Sequence, residues 1–211
     1  MQREWNSVFR ATMAIVCLSG VLALCAGPAN AQPVKAGEAH ELQAKGRAAQ
    51  KAGDDRGALE LFNASVSAGP SVSALVDLAY LQATSDDPTV RNAKAASITA
   101  NEAMTHMQNY LQQEMSGTLA ASHPGVDLKS AFLNMKACVF NAYAAARAAG
   151  SDFIRAQTFM EQSLHAAQAL AAKEPTSGHQ EMIHSVLTNQ VTIQTGQALH
   201  GTAPLSCNFI D

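Results

Sequence analysis

From about Gly37 onward, apolar side chains return at spacings of three and four, and no stretch sustains the alternation of a half-buried strand. Glycine and proline fall at helix-length intervals and mark the breaks. The pattern predicts seven helices and an all-α fold. The first runs from Gly37 to Ala52 and stops at Gly53; the second runs from Asp55 to Ala68, before Gly69-Pro70. There Gly69 offers the left-handed conformation that ends a helix, and Pro70 blocks its continuation. The third spans Ser71 to Ala83. Asp87 and Pro88 supply a cap and a first-turn proline for a long fourth helix ending near Gly117. Its predicted buried face is Val90, Ala93, Ser97, Ala100, Met104, Met107 and Leu111.

After a break from Gly117 to Gly125, the fifth helix covers Asp127 to Ala149 with Leu128, Phe132, Met135, Val139 and Tyr143 on its stripe. Gly150 ends it. The sixth, from Ser151 to about Lys173, carries Phe153, Ala156, Met160, Ser163, Ala167 and Leu170. Ser177 through Gln180 fit a capping box for the seventh, which packs Ile183, Val186, Leu187, Val191 and Ile193 and ends near Gly201.

The N-terminus changes the picture from a helical domain to an exported one. Arg3 and Arg10 precede an apolar stretch from Ala11 to Cys25, Gly27-Pro28 breaks it, and Ala29-Asn30-Ala31 has the small-x-small form that signal peptidase reads. The apolar run is shorter than the ~20 residues a membrane span needs, and neither Cys17 nor Cys25 follows the small residue a lipoprotein requires. Residues 1–31 therefore read as a signal peptide, and the mature chain, periplasmic or secreted, as about 180 residues starting at Gln32. That is enough for one domain with a core. No second apolar run is long enough for a membrane span.

Taking Arg3, Arg10 and Glu4 from the 14 basic and 17 acidic residues leaves 12 and 16, a net charge of −4. With no basic cluster in the mature part, nucleic acid and anionic membrane surfaces are poor partners. Two cysteines remain after cleavage, Cys138 within the fifth helix and Cys207 in the tail from Gly201 to Asp211. In an oxidising compartment they favour one disulfide that pins the tail to the body.

Catalytic and metal chemistry find little footing. His179 and His184 are five apart, on different helix faces, and no His-Glu-x-x-His is present. Asp54-Asp55 and Asp86-Asp87 sit at helix starts, where capping and the helix dipole account for them. Met104 and Met107 fall on a core stripe. No cofactor, metal site or catalytic residue is expected, so the reading is a binding protein rather than an enzyme. The alternative from another class is a periplasmic small-molecule or metal-binding helical module using the His-containing last helix. A third is a hydrolase, with Cys207 as the candidate nucleophile.

The first two helices carry a more specific pattern. Gly46, Ala58 and Ser65 are small positions that let antiparallel helices approach closely; Gly53 sits at the turn, Phe62 fills the gap to the next pair, and Pro70 closes the unit. Over about 30 residues this resembles a tetratricopeptide (TPR) unit, with Leu42 where the family has a tryptophan and Ala49 where it has a tyrosine. The core spacing returns in degraded form at Ala100, Met104 and Met107, and at Ala156, Met160 and Ser163. The resemblance implies a short stack of helix pairs over residues 32–200 with the last helix as a cap. It also implies that first helices line a groove for a protein or peptide partner in the cell envelope. Carried onto this chain, the groove residues are Lys45, Gln50, Asp77 and Tyr80. The segment Asp77-Leu-Ala-Tyr80 is similar to repeat units of secreted TPR proteins in surface-polysaccharide export and receptor-type assemblies.

Overall fold

A computed structural model describes residues 33–202, 204, 205 and 207, with side chains from Gly37 onward. The expected signal peptide lies outside the described residues. Among them are eight helices and no strand: α1 (Pro33–Lys51), α2 (Asp55–Ala68), α3 (Val72–Thr84), α4 (Ala93–Met115), α5 (Thr118–Ser122), α6 (Leu128–Ala149), α7 (Phe153–Lys173) and α8 (Ser177–Gln194). None is long and apolar enough to cross a membrane. Helices adjacent in the chain pack on one another, α1 on α2, α3 on α4, α6 on α7 and α7 on α8. The centre is formed where α6 packs on both α3 and α4.

That centre explains two helices whose residues are buried on nearly every side. Every residue of α3 from Val72 to Thr84 is buried, and α6 is buried continuously from Ala137 to Ala146. Six of the fourteen buried α6 residues are alanines, so neighbouring helices pack close to its backbone there. The outer helices bury a single stripe, as on α7 with Ala156, Met160, Ser163, Ala167 and Leu170.

Several boundaries differ from expectation for local reasons. Asp87-Pro88 starts no long helix. The Asp87 carboxylate accepts the Thr89 N–H at 2.8 Å, and the backbone turns once before Asn92 donates its N–H to the Gln82 carbonyl at 2.7 Å. Asn92 then caps α4 by accepting the Ala95 N–H at 3.0 Å. The buried stripe of α4 is Ala96, Thr99, Ala100, Ala103 and Met107, and Leu111 is 38 % exposed. Gly69 is extended, at φ −173°, because Pro70 restricts the residue before it to extended backbone. The expected break after α4 contains α5. Thr176 rather than Ser177 caps α8, accepting the His179 N–H at 3.2 Å. This last helix stops at Gln194, short of Gly201, and Leu187 and Val191 of its predicted stripe are exposed.

Candidate functional site

The small and large positions singled out on α1 and α2 form one close crossing. A Cβ added to Gly46 would lie 2.6 Å from the Phe62 ring, so the glycine is what lets the ring reach the α1 backbone. Ala58 and Phe62 are fully buried, and Phe62 clusters with Leu78 and Leu81 of α3. The Ser65 hydroxyl, buried in the crossing, donates to the Ala39 carbonyl at 2.7 Å. Pro70 sits exposed between α2 and α3. Of the other predicted core positions, Ala156, Met160 and Ser163 are fully buried in α7, Ala100 and Met107 are buried in α4, and Met104 is partly buried against the core.

The four predicted groove residues do not share a surface. Lys45 is exposed and pairs with Glu41 one turn earlier at 2.6 Å. Asp77, 2 % exposed, accepts from Arg47 Nε at 2.6 Å and from Gln43 Nε2 at 2.7 Å. Gln43 also donates to Ser73 at 2.5 Å, so α1 is stitched to α3. Burial pushes the Asp77 carboxyl above the ordinary range, and the Arg47 charge and the bonds from Arg47 and Gln43 oppose that shift.

Tyr80 is 1 % exposed. Its hydroxyl shares a hydrogen with Thr202 Oγ1 at 2.8 Å and accepts from Asn189 Nδ2 at 3.3 Å, and burial raises its phenol pKa. Asn189 donates also to Asn141 Oδ1 at 3.1 Å, joining α8 to α6. Asp77 and Tyr80 are thus internal fastenings rather than partner contacts. Both face helices that the one-dimensional pattern could not place against α3.

Tyr80 leads to the C-terminal tail, which lies over α3 and α6. The Gly201 N–H donates to the Thr84 carbonyl at 2.8 Å, and Arg91 Nη1 donates to His200 Nδ1 at 2.9 Å. Leu199, Leu205 and Cys207 are buried in the main core cluster. Cys207 is disulfide-bonded to Cys138 of α6, with Cα atoms 6.3 Å apart. The predicted pairing is present, and Cys207 carries no thiol that could act as a nucleophile. Reasoning from the sequence attached the tail at Cys207 alone; Leu199 and Leu205 were the apolar signal that it also packs.

Gln50 is the predicted groove residue that lies on an open cleft, of about 800 Å³. Its walls are the end of α1 with the turn into α2, the loop after α3, and the tail at Gly201, Thr202 and Pro204. Most of its charges are already engaged. Arg56 pairs with Asp87 at 2.7 Å, Ser85 donates to Asp55, and Asp54 accepts the Gly57 N–H at 2.9 Å. The Arg56 bond and the Thr89 amide hold the Asp87 carboxyl down at about 2. Among the described residues Lys51 and Asp86 are the charged groups of the cleft that no hydrogen bond or ion pair engages. Arg47, Lys51 and Arg56, which sequence reasoning passed over, give the cleft its cationic side; only their spacing on either side of Gly53 hints at it.

No group of three or more His, Cys, Asp or Glu side chains among the described residues could hold a metal ion. In the His-containing last helix, His179 Nδ1 lies 2.5 Å from the Glu174 carbonyl. Comparison with known protein families, curated proteins and solved structures finds no match.

Proposed function

We propose that this chain is an exported, TPR-like scaffold that holds a protein or peptide partner in the cell envelope through the cleft beside Gln50. The observation that carries this reading is a repeated crossing. Ser65 donates to the Ala39 carbonyl across α1 and α2, and Ser163 donates to the Ala137 carbonyl across α6 and α7, both at 2.7 Å and both between residues 26 apart. Helix pairs built on one register are what a repeat scaffold requires, and such scaffolds act by presenting surface to partners. The disulfide fits an oxidising compartment and so supports export.

Gln50, Lys51 and Asp86 offer a bound peptide donors and acceptors along one wall or the other of the cleft. Asp77-Leu-Ala-Tyr80, the segment similar to export and receptor-type assemblies, is engaged in internal contacts and bears on the fold rather than on the choice of partner. The test is a pull-down from envelope extract with the chain starting at Gln32, beside a Gln50→Glu, Lys51→Glu variant of unchanged helicity. A partner retained by the unaltered chain and lost by the variant supports the reading. A partner retained equally by both moves the binding surface elsewhere, and no retained protein at any salt concentration removes the scaffold function.

A further inference from the structure

The helix α8 packs chiefly on α7, so the surface it turns away from the body should be charged or polar. It is not. Leu187 and Val191, one turn apart, are 41 % and 61 % exposed, and no Asp, Glu, Lys or Arg occurs between Glu181 and Asp211. The exposed positions Gln180, His184, Leu187, Val191 and Gln194 follow one another at spacings of four and three. That is the seam of a coiled coil, with leucine at one core position and a β-branched residue at the other. The buried residues Met182, Val186, Asn189 and Ile193 lie on the opposite side and hold the seam outward. Two threonines beside the seam extend its apolar character. Thr188 donates to the His184 carbonyl at 2.9 Å, and Thr195 to the Thr192 carbonyl at 2.7 Å. With their hydroxyls satisfied inside the helix, these side chains can be covered at little polar cost.

We infer that this face of α8 is the interface of a symmetric dimer, covered by the antiparallel α8 of a second copy of the chain. What singles out a second copy is that the seam is its own complement. A twofold axis level with Asn189 sets Leu187 of each copy against Val191 of the other, and His184 of each against Gln194 of the other. Leucine and valine then share one apolar layer on each side of the axis. Imidazole and amide each carry a donor and an acceptor, so the layers beyond are polar pairs that can hydrogen-bond. Charge points the same way. Two copies of a net-negative chain repel across charged faces, and from Met182 onward this helix carries no charge. Two apolar layers make a small interface, so the dimer is weak and reversible, with a dissociation constant on the order of tens of micromolar. The pairing goes beyond the scaffold reading and uses none of its site, since the residues lining the cleft beside Gln50 include none from α8.

The test is sedimentation equilibrium of the oxidised chain from Gln32 to Asp211, loaded from about 2 to about 300 µM to span that constant. Expected is a monomer–dimer equilibrium that Val191→Glu weakens at least tenfold, because it sets two carboxylates into the apolar layers. Val191 is exposed, so helicity should not change. Met115→Glu on α4, where the side chain is 80 % exposed, should leave the equilibrium as it is. A chain monomeric throughout overturns the pairing, as does a dimer that Met115→Glu weakens equally or Val191→Glu leaves intact. The register has its own readout. Chains carrying Leu187→Cys and chains carrying Val191→Cys, mixed and oxidised, should cross-link to one another in preference to their own kind. A preference for like pairs overturns the antiparallel arrangement. A monomer that still retains an envelope protein through Gln50 and Lys51 leaves the scaffold reading standing, and a dimer that retains none leaves the pairing.

Discussion

The pair α1/α2 and the pair α6/α7 solve the same geometric problem with different side chains. Both join first helix to second by a serine-to-carbonyl bond of equal length, from Ser65 to Ala39 and from Ser163 to Ala137. Each begins its second helix with an aspartate, Asp54 or Asp152, that caps it in nearly the same backbone conformation. Each also sends a buried amide from its first helix to the helix that follows the pair, Gln43 to Ser73 and Asp77 of α3, and Asn141 to Asn189 of α8. What differs is volume. Gly46 faces the rigid Phe62 ring in the first pair, whereas the matching positions of the other pair hold Ala144 and the pliable Met160. Hydrogen bonds and caps set the register; complementary volumes then fill it, and the filling is free to vary.

The strongest way to break the comparison is through the covalent link that one pair has and the other lacks. Cys138 of α6 is tied to Cys207 across 69 residues of sequence, while α1/α2 has no disulfide among the described residues. Closing a loop of that size stabilises by about 4 kcal/mol in the chain-entropy description. Cys207→Ser should therefore lower unfolding free energy by roughly 3–4 kcal/mol in a urea titration. Hydrogen exchange should speed up in α6 and the tail and change least in α1/α2. Equal acceleration in both pairs would mean that they are one cooperative unit.

Next in size is the volume exchange itself. Gly46→Ala places a methyl 2.6 Å from ring carbons of a fully buried phenylalanine, an overpacking worth about 1–3 kcal/mol. Adding Phe62→Met reproduces the Ala144/Met160 combination and should recover at least half of that loss, a coupling a double-mutant cycle isolates. If the two substitutions simply add, the pairs resemble one another in hydrogen bonding alone.

How legible this was in the sequence depends on whether the determinant is local. Periodicity located α2, α6 and α7 because their stripes and caps lie within a few residues of one another. The small positions Gly46, Ala58 and Ser65 were readable because they sit at fixed offsets within one unit, whereas Phe62, read as filling the gap to the next pair, also lies against Gly46. The start of α4 was missed because the Gln82 carbonyl, on another helix, decides where the chain turns. Asp77 and Tyr80 were read as surface for the same reason, since a fully buried helix and a surface helix can carry the same polar residue. Only the third dimension puts Arg47 and Gln43 on one and Thr202 and Asn189 on the other.

If register is what the pairs share, the two serines should be worth the same. Ser65→Ala and Ser163→Ala each remove one buried bond to a carbonyl that a helix also uses, for about 1 kcal/mol, offset by a few tenths from the better helix propensity of alanine. Matched losses in thermal unfolding support equivalence. A loss confined to one pair would show that the other crossing is held by packing alone.

The smallest effect lies in the turns, where the pairs differ by one residue in the same conformation. Gly53 has φ 81° and Ser151 has φ 62°, the single non-glycine residue with positive φ among those described. Each is followed by the capping aspartate, whose N–H donates back to Ala49 or Arg147 at 3.0 and 2.9 Å. The left-handed conformation is demanded by that bond and not by the residue, so serine holds it against its own preference. Ser151→Gly should relieve the strain and, after the greater unfolded-chain entropy of glycine, gain up to about 0.5 kcal/mol. Gly53→Ser should lose a similar amount, of opposite sign, because a Cβ there meets nothing within 4 Å and conformation is the only term left. Opposite signs of equal size in chemical denaturation would make the two turns one motif with one exception. A stabilising Gly53→Ser would show that the turns differ in more than their residue.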